Sequence, residues 1–85
     1  MGSEMCIRDR YPDFASALHS RANAYYEIAD YTRAIADYTQ TIKLNPDSSY
    51  SYWGRGAAYG KMENRRLAEE DYAMAELIED AQRDR

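Results

Sequence analysis

Apolar residues recur at helical spacing in four stretches of this chain. Leu18, Ala22, Tyr25 and Ile28 fall at i, i+4, i+7 and i+10. That is one stripe of a helix over about residues 14–28. Tyr31, Ala34, Ile35, Tyr38 and Ile42 stripe a second helix over about 31–44, which Asn45-Pro46 stops. Tyr52, Gly56, Tyr59 and Met62 stripe a third over about 48–62, and a fourth covers about 65–82. No strand-like alternation interrupts them. Tyr11-Pro12-Asp13 reads as a linker ending in an N-cap, because proline disfavours helix in the residue before it and aspartate accepts from free first-turn N–H groups. Asp30 and Asp47 are the expected caps of the second and third helices, and Glu63-Asn64 is the expected last turn.

The second pair of helices repeats the first at an offset of 34. Pro12 and Asp13 recur as Pro46 and Asp47; Arg21, Ala24 and Tyr25 as Arg55, Ala58 and Tyr59; Ala34, Asp37 and Tyr38 as Ala68, Asp71 and Tyr72. A period near 34 with alanine, an aromatic and then proline marks a helix–turn–helix repeat. One such hairpin cannot bury its apolar face alone, so stacking is compulsory. The expected organisation is a non-repeat, non-native or disordered segment at 1–10, a linker and N-cap at 11–14, repeats at 15–48 and 49–82, and a tail at 83–85.

On these residues the chain resembles the tetratricopeptide repeat (TPR) family, over about four fifths of its length. The first repeat supplies Leu18, Ala22, Tyr25, Ala34, Tyr38 and Pro46, with Thr41 where a second small residue belongs; the second supplies Tyr52, Gly56, Tyr59, Ala68, Tyr72 and Ala75. The resemblance implies an all-α fold of two stacked hairpins, a short right-handed α-solenoid fragment. It implies a non-enzymatic module that binds a peptide or partner helix in a concave groove, as part of a longer array. Three positions depart from the pattern. Asp80 replaces proline, Arg65 stands where the first repeat has Tyr31, and Glu76 stands where it has Ile42 and puts a charge at an expected interior position.

In the family the first helices of successive repeats line the groove. By position this gives His19, Asn23 and Tyr26, with Ser16, Ser20 and Glu27, from the first repeat, and Tyr50, Trp53 and Lys61, with Ala57 and Gly60, from the second. Aromatic rings anchor many contact sites, and asparagine can both donate to and accept from a peptide backbone. Packing between first helices is the alternative for Trp53, and a plain surface position the alternative for His19. One branch of the family clamps acidic C-terminal tails with two asparagines and several basic residues over three repeats. Asn23 matches one clamp asparagine, but His19 stands for a lysine, Gly54 for the second asparagine, and a third repeat is absent.

The last helix carries a further row, Leu67, Met74, Ile78 and Ala81, where the first repeat has Arg33 and Gln40 at the first two places. A terminal helix that caps an array should be polar outside. This row is therefore expected to meet a third repeat, a partner chain or a second copy, the alternative being scattered apolar residues on an ordinary surface. The alternative function is accordingly a structural, self-assembling repeat fragment, a homo-oligomer joined through that row.

Charge and composition narrow the partners. The net charge of -4 weighs against a nucleic-acid partner, which needs a positive face. Nine tyrosines against one phenylalanine and one tryptophan suit thin helical layers and contact surfaces, since a tyrosine buries its ring and keeps its tip in water. One cysteine, Cys6, allows no intramolecular disulfide, and one His with one Cys makes no metal cluster. No apolar run reaches the roughly 20 residues of a membrane span, and no signal-peptide h-region is present. A protein or peptide partner, no cofactor and no membrane are the expectation; the compartment is left open, with the cytoplasm favoured. No nucleophile–base–acid set or glycine-rich phosphate loop points to catalysis.

Overall fold

The computed structural model describes the backbone of residues 2–83 and the side chains of residues 14–83. It is all-α among these residues: α1 (Gly2–Glu27), α2 (Tyr31–Leu44), α3 (Ser49–Lys61) and α4 (Arg65–Arg83). α1 and α2 form one hairpin, α3 and α4 the next, and α2 packs on α3 to join them, while α1 touches α3 only thinly.

The turns within the two hairpins are built alike. Ala29 and Glu63 both adopt left-handed φ, 66° and 64°. The N–H of Asp30 donates to the carbonyl of Tyr25 (2.8 Å) and that of Ala29 to Tyr26 (3.0 Å); Asn64 bonds Tyr59 (2.9 Å) and Glu63 bonds Gly60 (3.0 Å) in the same way. This pattern satisfies the last carbonyls of a helix. The residue after each turn then caps the next helix: Asp30 accepts from the N–H of Arg33, and Asn64 from that of Leu67.

Several boundaries differ from the sequence reading. α1 begins at Gly2, so residues 2–10 are helical and Tyr11-Pro12-Asp13 lies inside the helix, not at its cap. Glu4, Met5, Arg8 and Arg10 are good helix formers. The proline costs one main-chain bond but its φ fits a helix. Among the residues whose side chains are described, Phe14 is exposed and Ala15 is the first that is buried. Ile28 falls just past the end of α1 and stands exposed, so it is not part of the interior stripe. Met62 does the same after α3. Ser48, not Asp47, is the N-cap of α3, and its hydroxyl pairs with Ser51 Oγ (3.2 Å) in place of a first-turn N–H. Glu76 is exposed, because no further helix covers its side of α4 among the described residues. Of the expected tail, residues 84–85 lie outside the described residues.

The core follows the repeat register. Ala22, Ala34, Ala58 and Ala75 are fully buried, with Ala68 nearly so; Tyr38 fills the space against Ala22 and Ala34 beside Tyr25 and Tyr26. Small residues let the helices close and the tyrosines fill what remains. One ion pair locks each hairpin, at the same offset in both. Arg21 grips Asp37 through Nε (2.7 Å) and Nη2 (3.0 Å), and Arg55 grips Asp71 through the same two atoms, each at 2.8 Å. Such two-pronged pairs fix geometry as well as charge. Arg55 also donates from Nη1 to Thr39 Oγ1 (3.1 Å) and lies over the rings of Tyr52 and Tyr59, tying α2, α3 and α4 together.

Candidate functional site

The groove-facing residues of α1 and α3 meet around the side chain of Tyr38. This tyrosine rises from α2 between the two first helices, 2% exposed, and its hydroxyl donates to Asn23 Oδ1. Burial, and secondarily the charge of Tyr26, hold its phenol above the ordinary pKa. Gly54 of α3 lies directly on the ring; a side chain there would put Cβ 2.6 Å from Tyr38 Cε1. A glycine inside a helix is unfavourable by itself, and here it is what lets the repeats close. His19 packs edge-on to the same ring, centroids 5.6 Å apart, and its Nδ1 pairs with Ser51 Oγ on α3 at 3.2 Å. Ser51 is fully buried and also meets Ser48. Desolvation in this junction lowers the His19 pKa, which favours the neutral ring.

Beside this junction an open cleft of about 460 Å³ runs between α1, the end of α2 and the start of α3. Ala15, Ser16 and His19 form one wall; Leu44, Asn45 and Tyr50 face them. Tyr50 is 74% exposed at the rim of this cleft, whose apolar patches, Ala15 and Leu44, lie among Ser16, His19, Thr41, Asn45 and Ser48. Asn23, one helical turn on from His19 and not itself in the cleft lining, is exposed, and since Tyr38 donates to its Oδ1, its Nδ2 group remains free to donate to a partner.

His19 and Tyr50 thus share one cleft, and Asn23 adjoins it. Ser16, also expected there, lines it too, whereas Trp53, Tyr26 and Lys61 lie elsewhere. Trp53 turns towards its own hairpin: its indole N–H donates to Glu79 Oε2 (2.9 Å) and its ring leans on Tyr72, centroids 5.1 Å apart. It therefore packs against α4, not between neighbouring first helices. Tyr26 is half-buried and packs edge-on to Tyr31 at 5.4 Å, against the next helix of its hairpin. Lys61 is exposed in the last turn of α3, away from the cleft. Sequence reasoning took Tyr38 for a core residue only, read Gly54 only as a missing clamp asparagine, and missed Ser48, Ser51 and Leu44. A glycine in mid-helix, aligned with Ser20 one repeat earlier, was the available signal.

The row on α4 is split. Met74 and Ala81 are exposed, and Leu67 and Ile78 half-buried. Ile78 and Ala81 border a smaller cleft with Asp47 and Gln82, whose Nε2 donates to the Asp47 carbonyl (3.3 Å). That end of the row faces the α2–α3 loop of the same chain. Leu77, which the sequence reading left out, is the most exposed large apolar residue of α4.

Residues 22–63 match the family model described as TPR repeat. Over 49 residues the chain is 41% identical to serine/threonine-protein phosphatase 5 of Homo sapiens and of Rattus norvegicus, and to the same-named protein of Mus musculus. The aligned stretch is 58% of this chain and 10% of those proteins, so the chain spans about a tenth of the relatives it matches.

Proposed function

We propose, for a chain that belongs to the tetratricopeptide repeat family, that its task is to hold a peptide or partner helix across α1 and α3. TPR repeats are in general non-catalytic protein-interaction modules. What carries the reading for this chain is the combination of the open cleft, the exposed ring of Tyr50 at its rim and the free donor of Asn23. An exposed aromatic beside a cleft with apolar patches suits an anchoring side chain, and an oriented amide N–H₂ suits a main-chain carbonyl. The partner this favours is a peptide with an apolar anchor residue, not an acidic tail. Gly54 gives no second amide, and His19, with its lowered pKa, gives no fixed positive charge. The net charge of -4 supports a protein partner over a nucleic acid. Nothing of the phosphatases' catalysis is carried over, since the similarity covers a tenth of them.

The test is selection of binding peptides from a displayed library, followed by titration while the fluorescence of Trp53 is read. Asn23→Ala and Tyr50→Ala each weaken the selected peptides by about tenfold or more, as loss of an interface anchor does. Leu77→Ala on α4 leaves affinity unchanged. Peptides that bind Asn23→Ala and Tyr50→Ala as well as the parent chain would overturn the reading.

A further inference from the structure

The junction between the hairpins is a template that the two ends of the stack can repeat. In the junction, Tyr59 and Met62 of α3 share a cleft with Thr32 and Ile35 of α2, and Arg55 reaches Thr39. Moved back by one repeat, the α3 face becomes Arg21, Tyr25 and Ile28 of α1. This face is open. Ile28 is 72% exposed and Phe14, farther along it, 52%. The Arg21 side chain is 60% exposed where that of Arg55 is 19%. Arg21 uses only Nε and Nη2, both on Asp37, among the described residues. Moved forward by one repeat, the α2 face becomes Arg66, Glu69 and Ala73 of α4, with Glu76 one turn on; Glu69, Ala73 and Glu76 are all exposed.

We propose that these two ends bind each other between copies of this chain. The α1 face of one copy seats on the α4 face of the next, in the register of its own α2–α3 junction but held wider by the Ser20 side chain. Arg21 then enters between Glu69 and Glu76 of the second copy, where Arg55 meets Thr39 within one chain. The charges select this pairing. Two α1 faces would oppose their Arg21 guanidinium groups, and two α4 faces would set four glutamates against only two arginines (Arg66), whereas α1 on α4 brings Arg21, already paired with Asp37, its further acceptors. A contact between two different faces that repeats the screw of the stack extends it instead of closing a pair, so association is open-ended and grows with concentration. One residue limits its strength. Gly54 makes room for Tyr38 in the junction, but its counterpart on α1 is Ser20, whose Cβ crowds Tyr72 of the second copy. This association uses neither the groove nor the row of Leu67 and Met74, so it stands or falls apart from the peptide-binding reading.

Sedimentation equilibrium on the full chain tests the proposal. The average mass rises with concentration at low ionic strength and falls as sodium chloride screens the charges. Ile28→Asp, which spoils the α1 face, abolishes association, and so does Glu69→Lys with Glu76→Lys, which spoils the α4 face. Mixed together, the two variants form a one-to-one complex and nothing larger, because each keeps one sound face. Ser20→Gly tightens self-association by about tenfold or more, the release of an overpacked contact. All these side chains are exposed, and circular dichroism melts verify that each variant folds. The proposal is overturned if the mixture stays monomeric, if either variant alone still associates, or if Met74→Lys removes association while the end faces are intact. It is equally overturned if both the parent chain and Ser20→Gly remain monomers at every concentration.

Discussion

Two glycines in one helix should respond to the same substitution with opposite sign. Gly54 and Gly60 both lie in α3, and alanine is the better helix former at either by about 0.5–1 kcal/mol. At Gly60 a Cβ meets nothing within 4 Å, so Gly60→Ala should stabilise the fold by about that amount. At Gly54 the added Cβ stands 2.6 Å from Cε1 and 2.8 Å from Oη of Tyr38, so the ring must retreat by most of an ångström. It has nowhere to go. Tyr38 is 2% exposed, flanked by His19 and tethered to Asn23. Overpacking of this kind costs about 1–3 kcal/mol, and losing the Tyr38–Asn23 bond adds about 1 kcal/mol. The helix-propensity gain does not offset this, so Gly54→Ala should destabilise by about 1–3 kcal/mol. For a domain of this size each kcal/mol moves Tm by about 4–8 °C. Thermal and urea melts followed by far-UV circular dichroism read both variants, with the slope of the urea transition as the check on two-state behaviour. If Gly54→Ala stabilises as Gly60→Ala does, Tyr38 does not sit on Gly54 and the described junction between the repeats is wrong.

Three further outcomes follow from the same structure. Asp71→Asn should cost about 3 kcal/mol or more, since it strands Arg55 in a site that is largely closed to solvent, while Asp37→Asn costs distinctly less because water screens Arg21; chemical denaturation of the two variants side by side checks the order. His19 has a folded pKa below its ordinary value of 6.5, so its contribution is whole above that pH and is lost as pH falls below it; a stability–pH profile should droop there in the parent chain and flatten at that point in His19→Gln. Ala68→Leu, at a nearly closed crossing of α3 and α4, should lose about 1–3 kcal/mol in a thermal melt, and an unchanged Tm would remove the repeat register as the basis of the packing.

The offset of 34 made the fold legible, because the same small and aromatic residues must recur wherever identical hairpins close. Ala22, Ala34, Ala68 and Ala75 are buried where the register puts them. The stripe failed at its ends. Ile28 keeps helical spacing in the sequence, but α1 has ended at Glu27 and the chain turns through Ala29, and spacing carries no information once the helix stops. Part of the site was legible for a similar reason. Helical position fixes the direction in which Asn23 and Tyr50 leave the backbone, and both are exposed. Trp53 leaves in the same direction, but a long side chain can fold back, and the pull of Glu79 and Tyr72 on α4 decides where its ring rests. The Arg21–Asp37 and Arg55–Asp71 pairs were visible as recurring letters and not as partners. Their separation of sixteen residues joins opposite legs of a hairpin, which no single-helix pattern exposes.

The central claim is that the face shared by α1 and α3 receives the partner. Amide NMR spectra recorded while a selected peptide is added test it most directly. The account predicts that shift changes concentrate at Ser16, His19, Asn23 and Tyr50, with the outward face of α4 around Met74 and Leu77 unmoved. Changes centred on Met74 and Leu77, with His19, Asn23 and Tyr50 silent, would contradict it.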